Sequence, residues 1–407
     1  MCTFVVRNRF VRRERLAIVC LEKWNCQKGI AQVADKKKRI LHIAQAAGGV
    51  DRYLRMLLKY LDKSKYENIV VLSQDFVQSD YEGLADSSAI VKMQRSIGMQ
   101  DVKTICEVRK LIRKYNPDIV YAHSSKAGAV ARVANIGLDS ECIYNPHGWA
   151  FNMRISAAKQ KMYALIEKVA SLFCKKIICI SEAEKESALE KKICKEDKLQ
   201  VIFNGVDIDA YEKMSSSKIQ KADLNIPDNA FVVGMVGRIS TQKSPDVFVR
   251  AANLIKQAMP SAHFIIVGDG EMESEIRSYA AENGFEDCLH ITGWVDNPTS
   301  FVELFDVACL LSRWEGFGLV LPEYMMVGKP IVATRVDAIP NIIVDGENGL
   351  LVEADNPDKT YEAVMRIYND KELRDRIVKS GFSSLKKFDA KRVAAEHEKL
   401  LDSFLRG

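Results

Sequence analysis

No apolar run in these 407 residues approaches the ~20 that a membrane-spanning helix requires, so the chain is expected to be soluble or at most peripheral. Cys-x-x-Cys pairs are absent too. The ten cysteines are scattered, which argues against a zinc site and against a disulfide framework and fits a reduced compartment. No full Gly-x-Gly-x-x-Gly fingerprint occurs, and no clear Asp-x-Asp motif stands at a strand end, so no metal is expected. Secretion is not expected either. The stretch "LAIVCL" after the first arginines is shorter than a signal-peptide core and has no small-residue cleavage site behind it.

Charge is present but unevenly placed. Residues 1–39 hold 11 Lys/Arg against 3 Asp/Glu, residues 40–206 hold 25 against 19, and residues 207–407 hold 23 against 32, for a net +5. A basic first half points to an anionic surface met by that half alone. The basic residues are spread rather than clustered with aromatics, which excludes nucleic acid as the expected partner.

Organisation follows from periodicity. Residues 1–37 form a basic extension read as lying outside the fold, with a membrane-touching helix and a flexible tail as the alternatives. From "RILHIAQ" (39–45) onward, apolar strands alternate with helical patterns at 101–115, 126–137, 156–174 and 182–193. Such alternation requires parallel sheets covered on both faces. A polar, Ser-rich connector at 207–228 separates this domain (38–206) from a second strand–helix series beginning at "FVVGMVG" and running over 229–388. The last helical segment, 389–407, is expected to pack back toward the first domain. The fold class is therefore α/β with two doubly wound, Rossmann-like domains, whose ligands bind beyond the carboxyl ends of the strands.

Candidate residues fall at those ends. Gly48 and Gly49 form the first strand-to-helix turn, where a missing side chain lets backbone N–H groups approach a phosphate. Gly268 and Gly270 of "VGDG" are read as structural. "GRISTQK" places Arg238 and Lys243 just past a strand, one a planar fork and the other a point charge, suited to a diphosphate. In "EGFGLVLPE", Glu315 and Glu323 stand eight positions apart, about two turns if the segment is helical, with the N–H groups of Phe317, Gly318 and Leu319 between them. Carboxylates suit hydroxyls, so a nucleotide sugar would use both glutamates and both cations.

These residues resemble a known family. "EGFGLVLPE" is similar to the E-x7-E motif of the retaining glycosyltransferases of family 4, and "GRISTQKSPD" to that family's G-R-x4-K diphosphate segment. "NGVD", "VGDG", "GWV" and "GKPIVAT" follow the same order, and the likeness runs from Lys38 onward. The resemblance implies a GT-B fold with the nucleotide-sugar donor held mainly by the second domain. By position, Glu323 would bind ribose hydroxyls, Glu315 the transferred sugar, and Arg238 and Lys243 the diphosphate. "YAHSSKAGAVAR" and "YNPHGWAF" look like segments of members that build bacterial capsule or exopolysaccharide on lipid carriers, which implies a lipid-linked saccharide acceptor. His147 resembles the family's active-site histidine. Ser124 and Lys126 are candidate acceptor contacts, His123 is read equally as an acceptor contact or a structural residue, and His42 is read as a core residue or one behind the site. Retention of configuration is implied by the resemblance, with same-face attack favoured. Basic Arg109, Lys110, Arg113 and Lys114 on the 101–115 helix are expected to meet an anionic membrane from the cytoplasmic side. A nucleotide-sugar epimerase and a non-catalytic nucleotide-sugar-binding partner are the competing readings.

Overall fold

The structure is a computed structural model that describes residues 37–45, 47–94, 98–209, 211 and 219–404. Residues 1–36 of the basic extension and the centre of the 207–228 connector lie outside the described residues.

Seven parallel strands form the first sheet: β1 (Lys38–Ala44), β2 (Tyr66–Leu72), β3 (Ser87–Ile90), β4 (Ile119–His123), β5 (Glu141–Asn145), β6 (Lys176–Cys179) and β7 (Leu199–Val201), in the order β3-β2-β1-β4-β5-β6-β7. Six more, also parallel, form the second: β8 (Val232–Val236), β9 (His263–Val267), β10 (Leu289–Ile291), β11 (Val307–Leu310), β12 (Ile331–Thr334) and β13 (Leu350–Val352), ordered β10-β9-β8-β11-β12-β13. The central strands are largely apolar because helices cover both faces, and β8 and β9 are buried along their whole length. Sequence periodicity missed β3 and β13. Both are edge strands with one neighbour each; the "SSAI" of β3 stays half-exposed and lacks an apolar run, while the "LLV" of β13 is apolar but only three residues long.

The helices of the first domain include α1 (Gly49–Tyr60), α2 (Gln100–Tyr115), α3 (Ser125–Ala134), α4 (Ala157–Ala170) and α5 (Glu182–Glu190). Those that follow include α6 (Pro245–Ala258), α7 (Glu273–Glu282), α8 (Val320–Met326), α9 (Pro357–Asn369), α10 (Lys371–Ser384) and α11 (Ala390–Phe404). None in the described residues is long and apolar enough to cross a membrane. On α1, Tyr53, Leu54, Leu57 and Leu58 are buried against the sheet. Helix α11 returns to the first domain, where Val393, Ala394 and Leu401 pack with Ile40, Tyr53 and Leu57.

The chain thus passes between domains twice, once after β7 and once before α11. The two passages touch: the Val206 N–H donates to the Phe388 carbonyl (2.8 Å) and the Ala390 N–H to the Val206 carbonyl (3.1 Å).

One buried ion pair braces the first domain. Arg132 is fully buried, stacks 4.0 Å from the Tyr144 ring and donates to Glu167 at 2.9 Å, while the Tyr144 hydroxyl donates to the other Glu167 oxygen at 2.9 Å. Removing one partner of such a pair strands a charge away from water. Glu167→Ala should therefore lower unfolding free energy by about 3–5 kcal/mol in denaturant titration.

Candidate active site

In each sheet the strand order reverses beside the first strand, at β1/β4 and at β8/β11, and the loops leaving those strands face a common cleft of about 2100 Å³. Gly49, Ser124, Lys126 and His147 line it from the first domain; Arg238, Lys243, Glu315, Phe317, Gly318 and Leu319 line it from the second.

The second-domain wall is built by two loops clamped together. Arg313 donates to both oxygens of Asp246 (3.1 and 2.7 Å), the Arg313 N–H donates to the Gln242 carbonyl (2.8 Å), and the Gln242 amide donates to the Trp314 carbonyl (3.0 Å). This clamp holds the Arg238–Lys243 turn against the Glu315 turn. Glu315 is nearly buried; its carboxylate accepts from the Lys243 ammonium and from the Ser312 hydroxyl (2.9 Å), and its N–H donates to Asp337 (2.8 Å). Arg238 is exposed and pairs with Glu271 (3.3 Å).

Helix α8 begins at Val320, after Gly318 turns the chain with φ 85°, and Glu323 sits in its first turn. The Glu323 carboxylate is buried, which raises its pKa, and it accepts from the Arg52 guanidinium of α1, which opposes that rise. It stands behind the cleft wall, reached through Arg52. Gly268 is structural: at φ 144°, a Cβ there would lie 2.2 Å from the Gly237 carbonyl oxygen.

On the first-domain side, the site residues do not all reach the surface. His147 lines the cleft with φ 52°, its N–H donating to the Asn145 side chain (3.0 Å). His123, for which an acceptor contact and a structural role are both expected readings, is fully buried rather than at the cleft, with its ring nitrogens 3.2 Å from His147 and 3.2 Å from His42. Lys126 reaches the cleft, but its ammonium pairs with Asp101 (2.5 Å).

Sequence reasoning missed Arg52, Arg313, Asp337 and Glu184. Only Glu184 carried a signal, because Ser181-x-x-Glu184 is a capping-box pattern and the Glu184 N–H does donate to Ser181 Oγ (3.2 Å). Its carboxylate accepts from the Ile180 N–H (2.9 Å) and lies beside Gly148 and Gly316, where a Cβ on Gly316 would stand 3.1 Å from the Gly148 Cα and 3.5 Å from Glu184 Oε1. Ser181 Oγ in turn donates to the Gly316 carbonyl (3.3 Å). Glu184 and Ser181 therefore hold the turn bearing His147 against the turn bearing Glu315.

Two facing parallel-sheet domains, with cations and carboxylates on one wall of the cleft between their carboxyl edges, define the GT-B class of glycosyltransferases. Residues 47–210 match the model described as Glycosyltransferase Family 4 and residues 216–383 the model described as Glycosyl transferases group 1. The chain belongs to this glycosyltransferase family. It is 28% identical over 371 residues to the UDP-Gal:alpha-D-GlcNAc-diphosphoundecaprenol alpha-1,3-galactosyltransferase of Escherichia coli, covering 87% of this chain and 95% of that protein. It is 24% identical to the capsular polysaccharide biosynthesis glycosyltransferase CapM of Staphylococcus aureus, covering 91% and 98%. Among solved structures it resembles Anabaena Alr3699/HepE in complex with UDP and glucose, with a TM-score of 0.77 at 20% identity over 89% of this chain and 99% of that one.

Burial pushes the Glu184 carboxyl up to about 8, against the lowering effect of the Ile180 and Gly148 N–H groups. Between its ordinary value and that one, the folded protein holds a proton the unfolded chain has lost. Stability should then fall as pH rises from about 5 to about 8, by at most ~1.4 kcal/mol per unit from this group, and level off above. Glu184→Gln should flatten that slope in denaturant titrations across the range.

Proposed function

We propose that this glycosyltransferase transfers a sugar, with retention, from a UDP-sugar to a saccharide carried on a lipid diphosphate, in the assembly of a capsule, exopolysaccharide or related glycan. The observation that carries the reading is the convergence of Arg238, Lys243 and Glu315 on one cleft wall, with Glu323 just behind and His147 opposite. The uridine nucleotide and lipid diphosphate in the name of the E. coli relative, and the capsular role in that of the S. aureus one, support it.

The chemistry follows from the wall. As the bond from the sugar's anomeric carbon to the diphosphate breaks, negative charge grows on the leaving oxygens, and Arg238, Lys243 and the N–H groups of Phe317, Gly318 and Leu319 are placed to receive it without a metal. An acceptor hydroxyl then bonds to the anomeric carbon from the same face, and its proton passes to the departing phosphate oxygen. Glu315 orients hydroxyls of the transferred sugar; Glu323 accepts from those of the ribose once Arg52 yields. Lys243 and Glu315 neutralise each other before a donor arrives, so the donor replaces an existing pair.

A lipid-linked acceptor brings the enzyme to a membrane surface, and one helix of the first domain suits it. The α2 helix suits it less: Arg109 is committed to the carbonyls of Ala134 and Ile136 (2.7 Å each). Helix α4 is different. Met162, Leu165 and Val169, with Leu172 just beyond, are 44%, 62%, 52% and 75% exposed and fall on one side at 100° per residue, with Lys161 and Lys168 along one margin and Lys159 along the other. Its opposite side borders the cleft through Gln160 and Tyr163. Apolar side chains ringed by lysines fit an anionic lipid surface, with the cleft mouth beside it.

With UDP-sugars, bacterial membrane extract and EDTA, purified protein should release UDP. Glu315→Gln should lower turnover roughly 10²–10³-fold with donor affinity nearly kept, while Glu323→Gln should weaken donor binding about tenfold. Unchanged turnover in both would overturn the site assignment, and dependence on added Mg²⁺ would overturn metal independence. The protein should co-sediment with phosphatidylglycerol-containing vesicles, and the pair Leu165→Gln with Leu172→Gln should abolish this. Equal binding to pure phosphatidylcholine would refute the charge argument.

A further inference from the structure

Four side chains form a line from the middle of the first sheet to the cleft. His42 Nε2 lies 3.2 Å from Asn68 Oδ1, His42 Nδ1 lies 3.2 Å from His123 Nε2, and His123 Nδ1 lies 3.2 Å from His147 Nε2. Strand register explains the line. Asn68 pairs with Ile40 across β2 and β1, and His42 is two residues further on; His42 pairs with Tyr121, and His123 is two further on; His123 pairs with Asn145, and His147 is two further on. A two-residue advance at each strand keeps every side chain on one face and moves the line steadily toward the carboxyl edge.

The other three are fully buried, and only His147 reaches the cleft. Burial pushes His42 down to about 4 and His147 down to about 3, and lowers His123, whose neighbours His147 and His42 add to the effect. Each imidazole is then neutral near pH 7, with one N–H and one lone pair. Two nitrogen-to-nitrogen bonds in series force all three rings to point the same way. With the carboxamide oxygen of Asn68 turned to His42, that oxygen accepts and cannot donate, so His42 would carry its proton on Nε2, and His123 and His147 would follow.

We propose that the Asn68–His42–His123 line fixes the tautomer of His147, so that it presents the bare Nδ1 to the cleft as a hydrogen-bond acceptor for a sugar hydroxyl. Asn68 and His42 are thereby positioning residues for a contact some three side chains away. Because Asn68 has no site for a further proton, the line ends there; it sets a polarity and does not drain protons from the cleft. Among the described residues, His147 Nδ1 has no hydrogen-bond partner within the chain, so it is open to a ligand.

The proposal deepens the transferase reading, but its first test needs no substrate. Two-bond nitrogen–proton correlation spectra of full-length, ¹⁵N-histidine-labelled protein, assigned with single His→Gln variants, should show the Nε2–H form for residues 42, 123 and 147. An Nδ1–H form at His147 would overturn the proposal even if transfer is confirmed, and the expected form would stand even if the donor were wrong. In the second test, Asn68→Leu removes the acceptor that sets the direction. It should add an Nδ1–H population at His147 and lower kcat roughly tenfold with donor KM unchanged, the size of effect one hydrogen bond carries. If Asn68→Leu fails to fold, His42→Gln, which keeps a polar group facing His123, takes its place with the same readout. Loss of activity with the His147 tautomer unaltered would reduce the line to packing and sink the idea.

Discussion

The site depends on a place where the two domains meet without side chains between them. Gly148 and Gly316 approach so closely that a methyl on Gly316 would press on the Gly148 backbone, and they adjoin His147 and Glu315 respectively. Every residue assigned to chemistry is within a few positions of that contact or of the strand ends that flank it. The parallel sheets supply direction, since all their carboxyl edges carry loops on the same side. The glycine contact supplies register between the domains; Ser181 Oγ secures it by donating to the Gly316 carbonyl, and the Glu184 carbonyl by accepting from Trp149 Nε1–H beside the His147 turn.

The charged groups of the cleft satisfy one another: Lys243 with Glu315, Arg238 with Glu271, Arg52 with Glu323. These pairs differ in character. The Arg238–Glu271 pair is exposed and screened, hence weak, whereas Glu315 and Glu323 are each nearly dry and would be costly to leave alone. A donor carrying both phosphates and hydroxyls can offer each member a replacement partner at once.

Much of this was legible in the sequence. Apolar runs broken by glycine mark the central strands, and their ends place Gly49, His147, Arg238, Lys243 and Glu315 at a common edge. Edge strands β3 and β13 were not legible, because β3 is polar and half-exposed and β13, though apolar, is only three residues long. Nor were Arg52, Arg313 and Asp337, since an exposed-looking charge acquires its role only from a partner remote in sequence, as Arg52 does from Glu323, 271 positions away. Gly318 holds the helix start to Val320, which puts Glu323 in its first turn. His123 takes the structural of its two readings, because the end of a strand is not the edge of the cleft when a longer loop follows its neighbour.

The two passages of chain between the domains, hydrogen-bonded to each other at Val206, Phe388 and Ala390, have a mechanical meaning. A single connection would let one domain swivel freely about it. Two passages bonded to each other at one place resist a twist that a lone connection would permit, because turning one domain about the crossing would strain the hydrogen bonds of Val206 to Phe388 and Ala390.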